Sequence, residues 1–330
     1  MAKLSRNKAV VKRDLSVDET EVSTSQERTL AKLAIERVIN ICAAEGYRPR
    51  TLKDYGKFWA DFVQVTGGVK YIETITADHF RAYINHLLTV KELSPVTVNI
   101  RMNALRALFN RMYKEGIIPS NPVSSIKKLK TDEQTVGALT DKQIVRLFAQ
   151  IDKTGFAGYR DYCAMLTMLK CGLRINEVDA LEISDIDFEN GVILLPGAKN
   201  KNRKSRTVPV TNQVLAELNQ LIKETRQYFG KTVKHVFVNN VGDPLSDGLI
   251  RKRMHEYGVK AGLSGECRFS PHNLRHTFAT NFLKAGGNIR ALMSILGHSD
   301  LSTTQVYLNF TDTDVKEQYN KLIMYDKIHV

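Results

Sequence analysis

The stretch Leu296-Gly-His-Ser-Asp-Leu-Ser-Thr-Thr-Gln-Val-Tyr307 lies downstream of His272-Asn-Leu-Arg-His276, and the two decide how the second half of the chain is read. His272 and Arg275 are three residues apart, so on a helix they share one face. Upstream, Cys171-Gly-Leu-Arg-Ile-Asn-Glu177 puts Arg174 directly after a Gly-Leu helix junction. Each piece alone has an ordinary explanation. Arginine beside glutamate is commonly a surface ion pair, the histidines also suit a polar helix start, and a metal site built with Cys267 lacks a complete ligand set. Together they supply a chemistry. Cleaving a phosphodiester without a metal needs cations for the transition state, an acid for the departing oxygen and an activated nucleophile.

Between these motifs the pattern changes. Gly191-Val-Ile-Leu-Leu195 and Arg206-Thr-Val-Pro-Val210 read as two strands flanking a basic turn that carries Lys199, Lys201, Arg203 and Lys204. The surroundings are helical. Thr140 and Gln143 resemble a capping box that opens a helix with Ile144, Leu147, Phe148 and Ile151 on its apolar face. A helix is predicted over roughly 159–171, another through Val214, Leu215, Leu218 and Leu221, and more from about residue 273 onward.

The first half reads as a small helical bundle. Its stripes are Leu30, Leu33, Val38, Ile41, Cys42; then Leu52, Tyr55, Trp59, Phe62, Val63; then Phe80, Tyr83, Ile84, Leu87, Leu88; and finally Val98, Met102, Leu105, Phe109, Met112. Ser94-Pro95 starts the last of these as N-cap and N1 proline, and Gly116 stops it. Opposite its apolar stripe run Asn99, Asn103, Arg106 and Asn110, able to hydrogen-bond to phosphates or base edges, or simply to water. Residues 1–26 are polar and aperiodic, which predicts a mobile arm. Pro119, Pro122 and Lys127-Lys-Leu-Lys130 suggest a basic linker over 119–137.

Lysine and arginine outnumber aspartate and glutamate by 48 to 35 in 330 residues, a formal charge of +13 that favours a polyanionic partner such as nucleic acid or a membrane surface. No apolar run is long enough for a membrane span and no apolar signal core follows the basic N-terminus, so a cytoplasmic location is expected. Cys42, Cys163, Cys171 and Cys267 form no CxxC pair, which argues against a disulfide framework or zinc module.

The ordered set of motifs resembles the tyrosine recombinase, or phage integrase, family. Its members carry an Arg box, a hairpin lysine, an HxxR box, an LGH box and a tyrosine a short fixed distance beyond, and all five stand here in that order. The likeness is strong over 138–312 and looser over 27–118. It implies a mainly α fold with a small β-sheet: an N-terminal helical core-type DNA-binding domain over 27–118, joined by the linker to a mixed α/β catalytic domain over 138–312. A tail over 313–330 would be exchanged between protomers. It further implies a site-specific DNA recombinase that cuts and rejoins through a covalent 3′-phosphotyrosine, without metal, ATP or other cofactor. By the same resemblance Tyr307 is the nucleophile, Arg174 and Arg275 bind the scissile phosphate, His272 assists proton transfer, His298 hydrogen-bonds to the phosphate and Glu177 has a supporting role. The general acid is Lys201, eight residues before Pro209, or Lys199 in a loop longer by two. Asn103, Arg106, Asn110, Lys199, Arg203 and Lys204 are expected to touch DNA. Expected partners are a double-stranded recombination site, further copies of the chain in a tetramer, and an excisionase or DNA-bending accessory protein. The alternative is a non-cutting repressor or accessory DNA binder on the same fold. A type IB topoisomerase shares the chemistry, but the size and two-domain layout resemble integrases more.

Overall fold

The structure is a computed structural model, and it describes residues 29–131, 137–197, 204–245, 248–267 and 269–301 together with Thr304 and Tyr307. The arm, the tail over 313–330, and Lys199, Lys201 and Arg203 lie outside the described residues. The chain divides into two compact units, Met1–Glu133 and Gln134–Val330.

The first unit packs α1 (Ala31–Ala44), α2 (Pro49–Val65), α3 (Ala77–Thr89) and α4 (Pro95–Lys114) around one core. Helix α4 begins as its sequence requires, with the Ser94 hydroxyl accepting from the Thr97 amide and Pro95 in the first turn. Val98, Met102, Leu105, Phe109 and Met112 are all buried on it. They meet an aromatic cluster in which Phe62 stacks on Phe80 at 4.8 Å and Phe80 meets Phe109 edge-on at 5.0 Å. Such pairs add about 0.5–1.5 kcal/mol each beyond burial.

The stripe of α1 differs from the sequence reading. Ala31, Ala34, Ile35, Val38 and Cys42 face the core, whereas Leu33 is 55% exposed. The buried set has the helical i, i+3, i+4, i+7 spacing; ranking residues by size alone passes over the two alanines. Leu30 precedes the helix as its N-cap and bridges to Tyr71 instead of joining the stripe.

The segment expected to be a linker begins as part of this unit. Ile118, Val123 and Ile126 are buried and Leu129 packs against the same core, while Lys127, Lys128 and Lys130 point outward. The alternation lets a basic segment contribute apolar surface.

The second unit is built around α6 (Phe156–Cys171), whose residues are buried along most of its length. α5 (Asp141–Phe148) opens with the reciprocal Thr140–Gln143 capping box. After α7 (Ile175–Asp179) come three antiparallel strands, β1 (Ile186–Asp187), β2 (Val192–Leu195) and β3 (Arg206–Pro209), in the order β1-β2-β3. The hairpin register pairs Ile193 with Val208 and Leu195 with Arg206. Ile193 and Leu195 therefore point inward and Leu194 outward.

α8 (Asn212–Phe229), α9 (Leu249–Lys260), α10 (Pro271–Lys284) and α11 (Ile289–Leu296) complete the unit. Helix α9 does not stand out in the sequence as a periodic stripe. Its buried face is Ile250, Met254, Tyr257 and Gly258, in a segment otherwise rich in Arg, Lys and Glu. Among the described residues, no helix is long and apolar enough to cross a membrane.

Candidate active site

Helix α6 ends at Gly172, which adopts a left-handed φ of 66°. A Cβ there would come within 2.4 Å of the Phe278 ring on α10, so both conformation and space demand glycine. That close approach brings the α6 terminus to Arg275. The Arg275 guanidinium is buried and donates to the carbonyls of Gly172 at 2.5 Å and Leu296 at 2.7 Å, at the ends of α6 and α11. Burial, followed by the neighbouring charge of Arg174, lowers its pKa to about 10.

Two residues past Gly172, Arg174 serves as N-cap of the short α7, with its backbone N–H held by Glu177 Oε2 at 2.8 Å. Arg174 Nη1 donates to Glu177 Oε1 at 3.0 Å. Arg206, at the start of β3, grips the same carboxylate with both terminal nitrogens at 2.9 and 2.7 Å. Burial pushes the Glu177 carboxyl up, but the Arg206 fork and its charge, aided by Arg174, outweigh this and hold it below the ordinary range.

Helix α11 ends at Gly297, again left-handed with φ 64°, and the chain turns into His298. Arg275 Nη2 lies 3.0 Å from His298 Nε2. A guanidinium has only donors, so Nε2 accepts and the ring proton sits on Nδ1, 2.9 Å from the Thr304 hydroxyl. Burial, then the charges of Arg275, Arg174 and Arg206, lowers the His298 pKa to about 4. The imidazole is therefore neutral near pH 7.

Tyr307 follows on a turn in which its amide donates to the Thr304 carbonyl at 3.0 Å. Its ring lies 6.2 Å from His298, nearly parallel, and 4.8 Å from His276, and packs against the small cluster of Ala279, Leu283, Leu292 and Leu296. Arg174, Arg275, His298 and Tyr307 thus come together at one place. His272 is exposed in the first turn of α10, one turn before Arg275.

Sequence reasoning misses Arg206, His276 and Thr304. Arg206 reads in the sequence only as a strand residue. On a strand it shares the face of apolar Val208, two positions on, which the structure buries, and that spacing is the available signal. His276 and Thr304 carry no comparable signal.

The polar row on α4 has a structural duty. Asn99 exchanges two 2.9 Å hydrogen bonds with the backbone of Leu129. Arg106 donates to Asn103 and to the Ile126 carbonyl, and Asn110 accepts from Asn121. These side chains hold the 121–129 segment on the bundle, although Asn103 and Asn110 remain exposed. Lys204 is exposed beside β3. Among the described residues no group of three or more His, Cys, Asp or Glu is arranged to hold a metal ion.

Residues 138–314 match the phage integrase family, and residues 35–118 match the N-terminal SAM-like domain of phage integrases. The chain is 30% identical over 280 residues to the tyrosine recombinase XerC of Oceanobacillus iheyensis, covering 83% of this chain and 90% of that protein. It is 31% identical over 246 residues to the tyrosine recombinase XerD of Lacticaseibacillus casei, covering 73% and 80%. Among solved structures, the Tn1549 transposon integrase in complex with a circular intermediate DNA aligns with a TM-score of 0.70 at 23% identity, over 88% of this chain and 99% of that one. A lambda integrase tetramer bound to a Holliday junction gives 0.69 at 19%, over 92% and 81%. At that identity the two structures speak to the fold. The chain belongs to the phage integrase family and is a tyrosine-type site-specific recombinase.

Proposed function

We propose that the chain cuts and rejoins double-stranded DNA with Tyr307 as nucleophile. The reading is supported above all by the convergence of a phenol, two guanidiniums and a neutral imidazole at the junction of α6, α10 and α11. The Tyr307 oxygen attacks phosphorus and loses its proton, with His272 assisting the transfer. The bond from phosphorus to the 5′-oxygen breaks, and that oxygen takes a proton from Lys201, or from Lys199 in the alternative register. A 3′-phosphotyrosyl bond results. Attack by a new 5′-hydroxyl reverses the steps, so the bond energy is kept and ATP is not consumed.

Arg174 and Arg275 neutralise the non-bridging oxygens, where planar forks suit the geometry. An anionic phosphate beside them supplies counter-charge to His298 as well. Its proton affinity rises and Nε2 becomes a donor to the phosphate. Asn103, Arg106, Asn110, Arg203 and Lys204 contact DNA outside the reacting centre, the α4 residues through the face that also holds the 121–129 segment. We further propose a tetramer on synapsed DNA joined by exchange of the 313–330 tail, an excisionase or DNA-bending accessory partner, and a cytoplasmic location.

The test uses a library of nicked duplexes with randomised flanks, in which the 5′-hydroxyl fragment diffuses away after cleavage. Incubated with chelator, the wild type should form adducts that resist denaturant, and sequencing the trapped DNA defines the site. Tyr307→Phe should bind that site and form none. An adduct in the variant moves the nucleophile elsewhere. Binding without any wild-type adduct favours the non-cutting DNA binder; on a supercoiled plasmid carrying the recovered site, plain relaxation without strand exchange favours a topoisomerase.

A further inference from the structure

We propose that Arg206 is a positioning residue for strand cleavage: it occupies Glu177 as counter-ion and thereby leaves the charge of Arg174 available to the scissile phosphate. The inference rests on the reading of Arg174 as a phosphate ligand.

Glu177 is 1% exposed, and a carboxylate so buried needs charged partners. Two guanidiniums share it unequally. Arg206 gives a nitrogen to each oxygen, at 2.9 and 2.7 Å, and its side chain is 7% exposed. Arg174 gives Nη1 to one oxygen at 3.0 Å, holds the other through its backbone, and is 20% exposed. Two cations and one anion leave one positive charge. It resides on the more outward arginine. Without Arg206 the carboxylate becomes the full counter-ion of Arg174, and the group is neutral where a phosphate should bind.

The same side chain reaches the other wall of the site. Arg206 Nε donates to the Ile295 carbonyl at 2.7 Å, three residues before His298. Its Cδ lies 3.0 Å from where a Cβ on Gly297 would stand. Arg206 thus ties β3, α7 and the end of α11 together around the candidate phosphate site. Lysine would carry the charge but not the fork.

The experiment measures single-turnover cleavage by the full chain on the nicked duplex recovered in the wild-type adduct selection, with melting temperatures read alongside. Arg206→Gln should cleave about 10- to 100-fold more slowly, by analogy with removing the partner that orients a metal ligand. The double variant Arg206→Gln with Glu177→Gln should recover to within about tenfold of wild type, because the competing carboxylate is gone while the glutamine oxygen can still accept from the Arg174 amide. A purely structural role predicts the reverse, with the double variant as slow as Arg206→Gln or slower. That result, or an Arg206→Gln variant cleaving at the wild-type rate, overturns the inference alone. If Arg206→Gln is unfolded at the assay temperature, Arg206→Lys decides. Cleavage within about tenfold of wild type supports the counter-ion role, and a larger loss overturns it. A wild-type chain that traps no duplex overturns the cutting reading and this inference with it.

Discussion

The two units solve the same folding problem with different materials. In the first, Phe62, Phe80, Tyr83 and Phe109 fill the interior and its charged residues stay outside, with the Asp61 cluster of Tyr83, Lys91 and Arg101 at the rim. In the second, the core is mostly aliphatic, yet it encloses Arg160, Asp161, Glu177, Asp179, Asp185 and Arg275. Among the described residues, tyrosines and cysteines aside, every buried polar or charged side chain lies in that second unit. Burying a charge is costly unless it is paired. A unit that holds so many is organised around what those charges do as well as around packing.

Asp161 measures that difference most directly. It is fully buried on α6, with one oxygen held by Arg160 and the other by Arg253 and the Tyr257 hydroxyl. Asp161→Ala strands the buried Arg160 guanidinium, while Arg253 keeps Glu256, and should cost about 3–5 kcal/mol in chemical unfolding. Asp61→Ala in the first unit, where the carboxylate side chain keeps 16% exposure, should cost about 1–2 kcal/mol. Equal losses would break the contrast between a sorted core and a charge-bearing one.

Arg275→Ala sharpens the contrast on the functional side. Cleavage should fall about a hundred- to a thousandfold, as on removing a preorganised donor, with a much smaller change in duplex affinity. Equal losses in both, read from single-turnover rates and binding isotherms, would mean that Arg275 serves docking.

A smaller effect should follow pH. The folded His298 pKa, lowered to about 4, lies below its ordinary value of 6.5. A group depressed in this way contributes stability above pH 6.5 that is lost as pH falls through about 4. The NMR titration of its ring should therefore have its midpoint near 4, and His298→Gln should flatten the loss of stability below 6.5. A midpoint near 6.5 would show that burial and the surrounding arginines leave the ring unperturbed.

The smallest effect tests the first unit's sorting. Leu33→Ser on the exposed side of α1 should change stability by no more than about 0.5 kcal/mol. Ala34→Leu on the buried side should cost about 1–3 kcal/mol by overpacking. A reversed order would restore the large-residue stripe read from sequence.

Much of this protein is legible in its amino-acid sequence alone. The Ser94-Pro95 start, the Thr140–Gln143 box, the α4 stripe and the strand pair around the basic turn all depend on neighbours within one or two turns or across one hairpin. Local steric and hydrogen-bonding rules reach that far. The ordered set from Arg174 to Tyr307 is legible for another reason, since its residue types match one chemistry. What the sequence does not express is which charge opposes which. Arg206 meets Glu177 across 29 positions, and Arg275 reaches back 103 positions to the carbonyl of Gly172. The lowered pKa of His298 depends on burial first and then on three arginines gathered from three separate segments. Distances and burial of that kind arise only when helices and strands pack, because Coulomb and desolvation energies follow separation in space and take no account of separation along the chain.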